Sequence, residues 1–205
     1  MNQGILFVVS GPSGSGKTTL TRRVIEVLDN VRFSVSFTTR EPRPGEVDGV
    51  DYRFVSREEF EEMIKENMFA EWAIVHGHFY GTPIYEIERA RSCGVDLILD
   101  IDIQGAKSIK ERYGSGVYIF VTPSSFEALR ERLLKRKGEG MAEIEKRLEN
   151  AKREMEEICS YDYIIINDRL DEAVDNLVSV IRAERCRKER AINLLKDFKD
   201  KLCYD

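Results

Sequence analysis

The sequence predicts an α/β fold built on a central five-stranded parallel sheet, and three observations carry that expectation. Short apolar runs alternate with helical patterns almost from end to end. Each run is nearly continuous in Val, Ile, Leu, Phe or Tyr, as strands covered on both faces are. The first run feeds a glycine-rich turn that opens a helical stretch. Alternation of this kind produces a doubly wound sheet.

In chain order, the candidate strands are residues 5–10, 33–37, 95–100, 117–121 and 163–166. The first helix, 17–28, follows the glycine turn. Another is expected after Thr122, with Pro123 at its first position and Ser124 and Glu127 spaced as an alternative capping box. Residues 141–158 and 170–201 read as long, charged, amphipathic helices. Two stretches interrupt the alternation. Residues 38–88 hold a Pro/Gly/Arg loop, a strand at 52–55, a helix opening on Ser56-Arg57-Glu58-Glu59 and an aromatic-rich segment, and so read as an inserted α+β subdomain. Residues 129–153 crowd arginines and lysines around Gly138-Glu139-Gly140 and read as a mobile helical hairpin, a lid. The core of this single domain is then about 1–37, 89–128 and 154–205.

Composition narrows the function classes. The 205 residues include 32 Lys plus Arg against 37 Asp plus Glu, a formal charge of −5, which argues against a protein that coats nucleic acid. The longest apolar runs are five residues, whereas a membrane-spanning helix needs about 20, so no membrane placement is expected. No basic segment precedes the first run, and a cytoplasmic protein without a signal peptide is expected. Cys93, Cys159, Cys186 and Cys203 are widely spaced and read as free thiols. His76 and His78 have no third ligand spaced for zinc.

Gly11-Pro12-Ser13-Gly14-Ser15-Gly16-Lys17-Thr18 matches G-x-x-x-x-G-K-[ST], preceded by a strand and followed by a helix, as a phosphate-binding loop requires. Its glycines let successive backbone N–H groups turn inward onto phosphate oxygens, and the helix adds its positive dipole end. Lys17 is placed to reach the β and γ phosphates of ATP, and the Thr18 hydroxyl to hold Mg²⁺. Thr19 completes the loop's contact set. A second acid near the metal is expected at the end of a neighbouring strand, where Asp100 stands, with Asp102 on the same face if the strand continues. The alternative is that these acids end a strand and cap the next helix.

The acceptor side is read from the inserted stretch. Arg40 and Arg43, three apart on a proline-stiffened loop, suit a monophosphate dianion, and Tyr52 and Tyr80 offer phenolic donors. The run from Ser34 through Tyr52 to Val55, with Glu71-Trp72-Ala73, Tyr80-Gly81-Thr82, Leu99-Asp100-Ile101-Asp102-Ile103-Gln104-Gly105 and Ile166-Asn167-Asp168, resembles the guanylate kinases in order and spacing. The likeness covers residues 5–181, nearly the whole chain. It implies a P-loop NTPase fold that transfers the γ-phosphate of ATP to GMP, and to dGMP, with Mg²⁺. By position, Ser36, Glu71, Thr82 and Asp102 would surround the guanine, and Arg40, Arg43, Tyr52 and Tyr80 would hold its phosphate. Lys17, Arg136 and Arg147 would meet the transferring group, with Arg132 as a further lid residue and Asn167 near the donor adenine.

Chemistry supports the base assignment independently. The guanine edge offers two adjacent donors, N1–H and the N2 amine, which one carboxylate such as Glu71 can accept together, while the Ser36 and Thr82 hydroxyls suit O6. Adenine would set its N1 lone pair against that carboxylate, a mispairing that discriminates by roughly 10⁴-fold. The chain departs from that pattern in places: Thr82 stands where serine is common, Phe37 where a small polar residue is common and Phe79 where tyrosine is, and the lid run Lys135-Arg136-Lys137-Gly138 is shifted and more basic than usual. Two rival readings remain, a non-catalytic binding module of the same fold and a kinase for another nucleoside monophosphate. The C-terminal extension is expected to be helical, packing on the core or pairing two copies as a homodimer.

Overall fold

A computed structural model of the chain describes residues 3–75, 77–135 and 140–192. The first elements are β1 (Leu6–Ser10), α1 (Lys17–Val27), β2 (Val31–Phe33), β3 (Phe37–Thr38), β4 (Arg53–Phe54) and α2 (Arg57–Lys65). Then come β5 (Phe69–Val75), β6 (His78–Pro83), α3 (Ile84–Cys93), β7 (Asp96–Asp100) and α4 (Ile103–Tyr113). The chain continues through β8 (Val117–Thr122), α5 (Phe126–Leu134), α6 (Met141–Glu156), β9 (Tyr163–Ile166), α7 (Leu170–Arg185) and α8 (Lys188–Ala191).

Five parallel strands form the central sheet in the order β2-β7-β1-β8-β9. One face carries Phe7, Val9, Ile98, Ile119 and Val121 against Leu20 and Val24 of α1 and Leu177 and Ile181 of α7. The other carries Leu6, Val8, Leu97 and Leu99 against Ile87 and Ala90 of α3 and Ala106 and Ile109 of α4. Both faces are therefore dry, which is why these strands read as unbroken apolar runs rather than alternating ones. The register pairs Val9 with Asp100, so the phosphate loop leaves β1 beside the acid that ends β7. Open parallel sheets bind ligands at this carboxyl end.

A second sheet, β4-β3-β6-β5, stands over that end. Phe60 of α2 stacks on Phe69 at 4.4 Å and packs with Phe79, so the apolar aromatics of this segment form a small core of their own. The Arg112 guanidinium of α4 donates to the Phe69 carbonyl at 2.7 Å and ties this sheet to the main one. The Ser56–Glu59 capping box opens α2 as the sequence suggests. Among the described residues no helix is long and apolar enough to cross a membrane.

Four expectations need correction. The run at 33–37 is not one strand: Ser34 N–H makes a last bond to the Ile98 carbonyl, and Phe37–Thr38 then joins the second sheet, so one apolar run serves two layers. Pro123 does not open α5. The Ser124 N–H is held by Asp168, and Ser125 caps the helix by accepting from the Ala128 N–H at 3.1 Å. The expected helix 141–158 gives way at its last turn to a tighter 3₁₀ turn, Glu157–Ser160. The long C-terminal helix ends at Arg185, because Arg190 of α8 folds back to donate to the carbonyl and the buried carboxylate of Glu184. Arg136, His76, Cys203 and the extension beyond residue 192 lie outside the described residues.

Candidate active site

The phosphate loop wraps the N-terminus of α1, and its shape explains its glycines. Gly16 caps the helix in the left-handed region, with φ at 89°, where a side chain is strained. A Cβ there would also stand 2.5 Å from the Asn167 amide nitrogen. Lys17 Nζ donates to the Gly11 carbonyl at 2.7 Å and to the Pro12 carbonyl at 3.4 Å, which lays its ammonium along the loop. Thr18 Oγ1 donates to Asp100 Oδ2 at 2.5 Å. Loss of water pushes the Asp100 pKa up, opposed by Lys17, the Thr18 hydrogen bond and Arg22.

One cavity of about 470 Å³ unites the loop with the second sheet. Gly11, Ser13, Lys17 and Thr18 line it on one side, and Ser36, Arg43, Tyr52, Glu71 and Tyr80 on the other. Asp100, Asp102 and Arg147 complete it. The strand carrying Asp100 stops there. Asp102 begins α4 as its cap, accepting from the Gly105 N–H at 2.8 Å, so the capping alternative is realised while both acids still face the cavity.

Glu71 is the most buried acid in this cavity, 6% exposed. One of its oxygens accepts from the Thr82 hydroxyl at 2.6 Å and from the Thr82 N–H at 3.0 Å. The other faces α4, where Gly105 leaves room for it: a Cβ on Gly105 would meet Glu71 Oε2 at 2.5 Å. Burial, with Asp102 nearby, raises the Glu71 pKa to about 7 against the pull of the Thr82 hydrogen bonds. Thr82 is fully buried behind Glu71, so its hydroxyl orients the carboxylate instead of entering the cavity.

Arg40 stands behind the cavity wall. Its Nε donates to Tyr80 Oη at 3.1 Å, its Nη1 to the Glu41 carbonyl at 2.6 Å, and its Nη2 to both Glu46 oxygens at 2.8 and 2.9 Å. Glu46 also accepts from the Arg43 N–H at 2.7 Å, so one carboxylate arranges both arginines of the loop. Burial alone would push the Glu46 pKa up, but the bonds from Arg40 and Arg43 hold it below the usual carboxylate range.

From α6, Arg147 donates to Ser13 Oγ at 3.2 Å and to Glu143 at 3.0 Å. Arg132 and Asn167 do not line this cavity. Asn167 Nδ2 donates to the Ser15 carbonyl at 2.8 Å, Arg132 Nη1 to the same carbonyl at 3.2 Å, and Arg132 Nη2 to the Asn167 carbonyl. Together they brace the outer side of the phosphate loop, on which Thr19 is exposed. Sequence reasoning missed Glu46, Asn150, Arg153 and Glu154. The last three reach the cavity from α6. Asn150 and Glu154 follow Arg147 by three and seven residues, and that helical spacing is the signal that they share its face.

Comparison with known proteins agrees with this geometry. The guanylate kinase family model matches residues 3–184. The guanylate kinase of Geobacter sulfurreducens is 52% identical over 196 residues, covering 96% of this chain and 97% of that protein. The guanylate kinase of Thermotoga maritima is 48% identical over 197 residues, covering 96% and 95%. The crystal structure of guanylate kinase from Anaplasma phagocytophilum superposes with a TM-score of 0.78 at 36% identity, covering 92% of this chain and 90% of that one.

Proposed function

The chain belongs to the guanylate kinase family and so transfers a phosphoryl group from ATP to GMP, and we propose which side chains carry that transfer. The observation behind the assignment is that Glu71 and Ser36 share one cavity with Lys17 and Thr18. A base reader and a triphosphate grip are thus within one nucleotide pair's reach.

On this reading, Glu71 accepts the two adjacent guanine donors, positioned by Thr82 and assisted by Ser36 and Asp102. Arg43, Tyr52 and Tyr80 hold the acceptor phosphate, and Arg40 acts with them once its fork turns from Glu46. The backbone from Gly11 to Gly16 cradles the donor phosphates with Lys17, while Arg132 and Asn167 keep that cradle in shape and flank the adenine. Arg147, with Arg136, neutralises charge spreading over the transferring oxygens. An acceptor phosphate is already largely dianionic near pH 7, so no general base is required. Alignment and exclusion of water carry the catalysis. dGMP is accepted as well on this reading, because the groups assigned to the base and the phosphate make no use of the 2′-hydroxyl. On the same reading the protein acts in the cytoplasm.

The donor set also fits Mg²⁺. Thr18 and Asp100 offer two hard oxygens in direct contact, and loss of water raises the Asp100 pKa in spite of Lys17 and Arg22, a cost that a bound cation would offset. Thr18 would ligate the ion and Asp100 hold it directly or through water. When bound, the ion supplies neutralisation of the donor phosphates. Asp100→Asn is expected to raise the Mg²⁺ concentration for half-maximal rate about 10- to 100-fold. A Mg²⁺ titration at saturating nucleotides checks this, and an unchanged curve counts against the assignment.

A coupled assay with GMP, dGMP, AMP and UMP tests the substrate reading. GMP and dGMP should turn over and the other two should not. AMP as the best acceptor would refute the base assignment, and inactivity with all four would favour the binding module. The Glu71 pKa adds a sign. Its carboxyl is protonated below about pH 7 in the free protein, and guanine needs the carboxylate. GMP affinity should therefore rise as pH climbs through 7, with about one proton released per GMP bound below it. Calorimetry in buffers of different ionisation heat measures that proton. In Glu71→Gln the acceptor phosphate's own titration near pH 6 remains, and the step near 7 should vanish.

A further inference from the structure

The acceptor loop, residues 41–52, is joined to the phosphate-loop helix by a single side-chain hydrogen bond among the described residues, from Arg22 to Asp51. Arg22 lies on α1, one helical turn after Thr18. Asp51 immediately precedes Tyr52, which lines the cavity. Its side chain is 11% exposed, against 37% for Arg22. The two Asp51 oxygens divide their work. One takes the Arg22 guanidinium, and the other accepts from the Val47 N–H at 2.7 Å, closing the turn that carries Tyr52. The Gly49 N–H donates to the Tyr52 carbonyl at 2.8 Å and stiffens that turn further. Movement of Asp51 is therefore passed to Tyr52, and through Glu46 and the loop to Arg40 and Arg43.

Thr18, Asp100 and Tyr52 line the same cavity. Arg22 is close enough to Asp100 to favour its carboxylate form, and Asp51 adjoins Tyr52 in the chain. We propose that Arg22 and Asp51 are a positioning pair that docks the acceptor-phosphate loop on the phosphate-loop helix and so sets the distance between the two reacting phosphates. Neither residue touches the reacting atoms. The loop they fasten carries Arg43 and Tyr52 of the groups assigned above to the acceptor phosphate, and Arg40 immediately precedes it. In-line transfer is sensitive to displacements of about 1 Å, which can cost as much as 10²-fold. A bridge between the helix and the loop is placed to control such a displacement. The inference rests on the guanylate kinase reading and deepens it.

Arg22→Met, Asp51→Asn, their double variant and Arg22→Lys test the pair, in the full chain, with ATP and GMP. Asp51→Asn keeps an oxygen for the Val47 N–H, so it removes the charge partner and spares the turn. Each of the two neutral single variants is expected to lower kcat with GMP about 10- to 100-fold, with KM for ATP moving less than about twofold and the melting temperature by only a few degrees. The double variant should be no worse than the worse single, because both remove the same bridge. Arg22→Lys should keep most of the activity. Near-normal kcat in either neutral variant would overturn the proposal. So would multiplied losses in the double, or a parallel rise in KM for ATP, since both indicate separate roles. Failure of the underlying reading looks different: the unaltered chain would then not phosphorylate GMP.

Discussion

Lys17→Ala is expected to lower kcat by roughly 10²–10³-fold while leaving the fold intact. The Lys17 ammonium donates to the Gly11 and Pro12 carbonyls, so it lies along the loop proposed to cradle the phosphates. Its charge is needed most when negative charge spreads over the transferring oxygens, and an alanine offers nothing in that state. The structural cost is small by comparison. Two hydrogen bonds from a partly exposed side chain are worth about 1 kcal/mol each, or a few degrees in melting temperature for a chain of this size. Steady-state rates and a thermal melt on the same sample separate the two effects. Near-normal turnover would remove Lys17 from the mechanism.

Glu71→Gln should strike one nucleotide and spare the other. Thr82 donates to Glu71 Oε1 through both its hydroxyl and its N–H, so a glutamine must keep its carbonyl oxygen there. Its NH₂ group then takes the Oε2 position, and on the proposed assignment it would meet the two donors of guanine with a further donor. Donors facing donors in a buried pocket lose the bond and its desolvation together. The expected result is a fall in kcat/KM for GMP of roughly 10³-fold, approaching the discrimination that hydrogen-bonding pockets achieve, with KM for ATP nearly unchanged. Selectivity for GMP over AMP should collapse in parallel. Equal losses for both nucleotides, with a lowered melting temperature, would mean that the substitution damages the fold and that Glu71 does not read the base.

The contrast between these two residues shows what was legible before the structure. Lys17 belongs to an unbroken motif of eight residues, and its role follows from local geometry: a strand, a glycine turn and a helix start in that order. Glu71 lies in a strand with nothing local to mark it, and the likeness to a family was needed to single it out. Thr82 was expected to face the base, yet it serves Glu71 from behind. The sequence suggests Arg40 for the acceptor phosphate but does not reveal that its three guanidinium nitrogens have protein partners, Glu46 chief among them.

Hydrophobic period, glycine placement and motif spacing act over a few residues, so the parallel sheet, the phosphate-loop motif and an inserted α+β segment are all readable in the chain. Tertiary structure alone decided which strand run divides between two sheets, where the C-terminal helix stops, and which charges meet. Arg22 and Asp51 are 29 residues apart, and Asn167 and Ser15 are 152 apart. Such partnerships arise from how the layers stack, since a polar group leaving water must find whatever counterpart the topology brings to it.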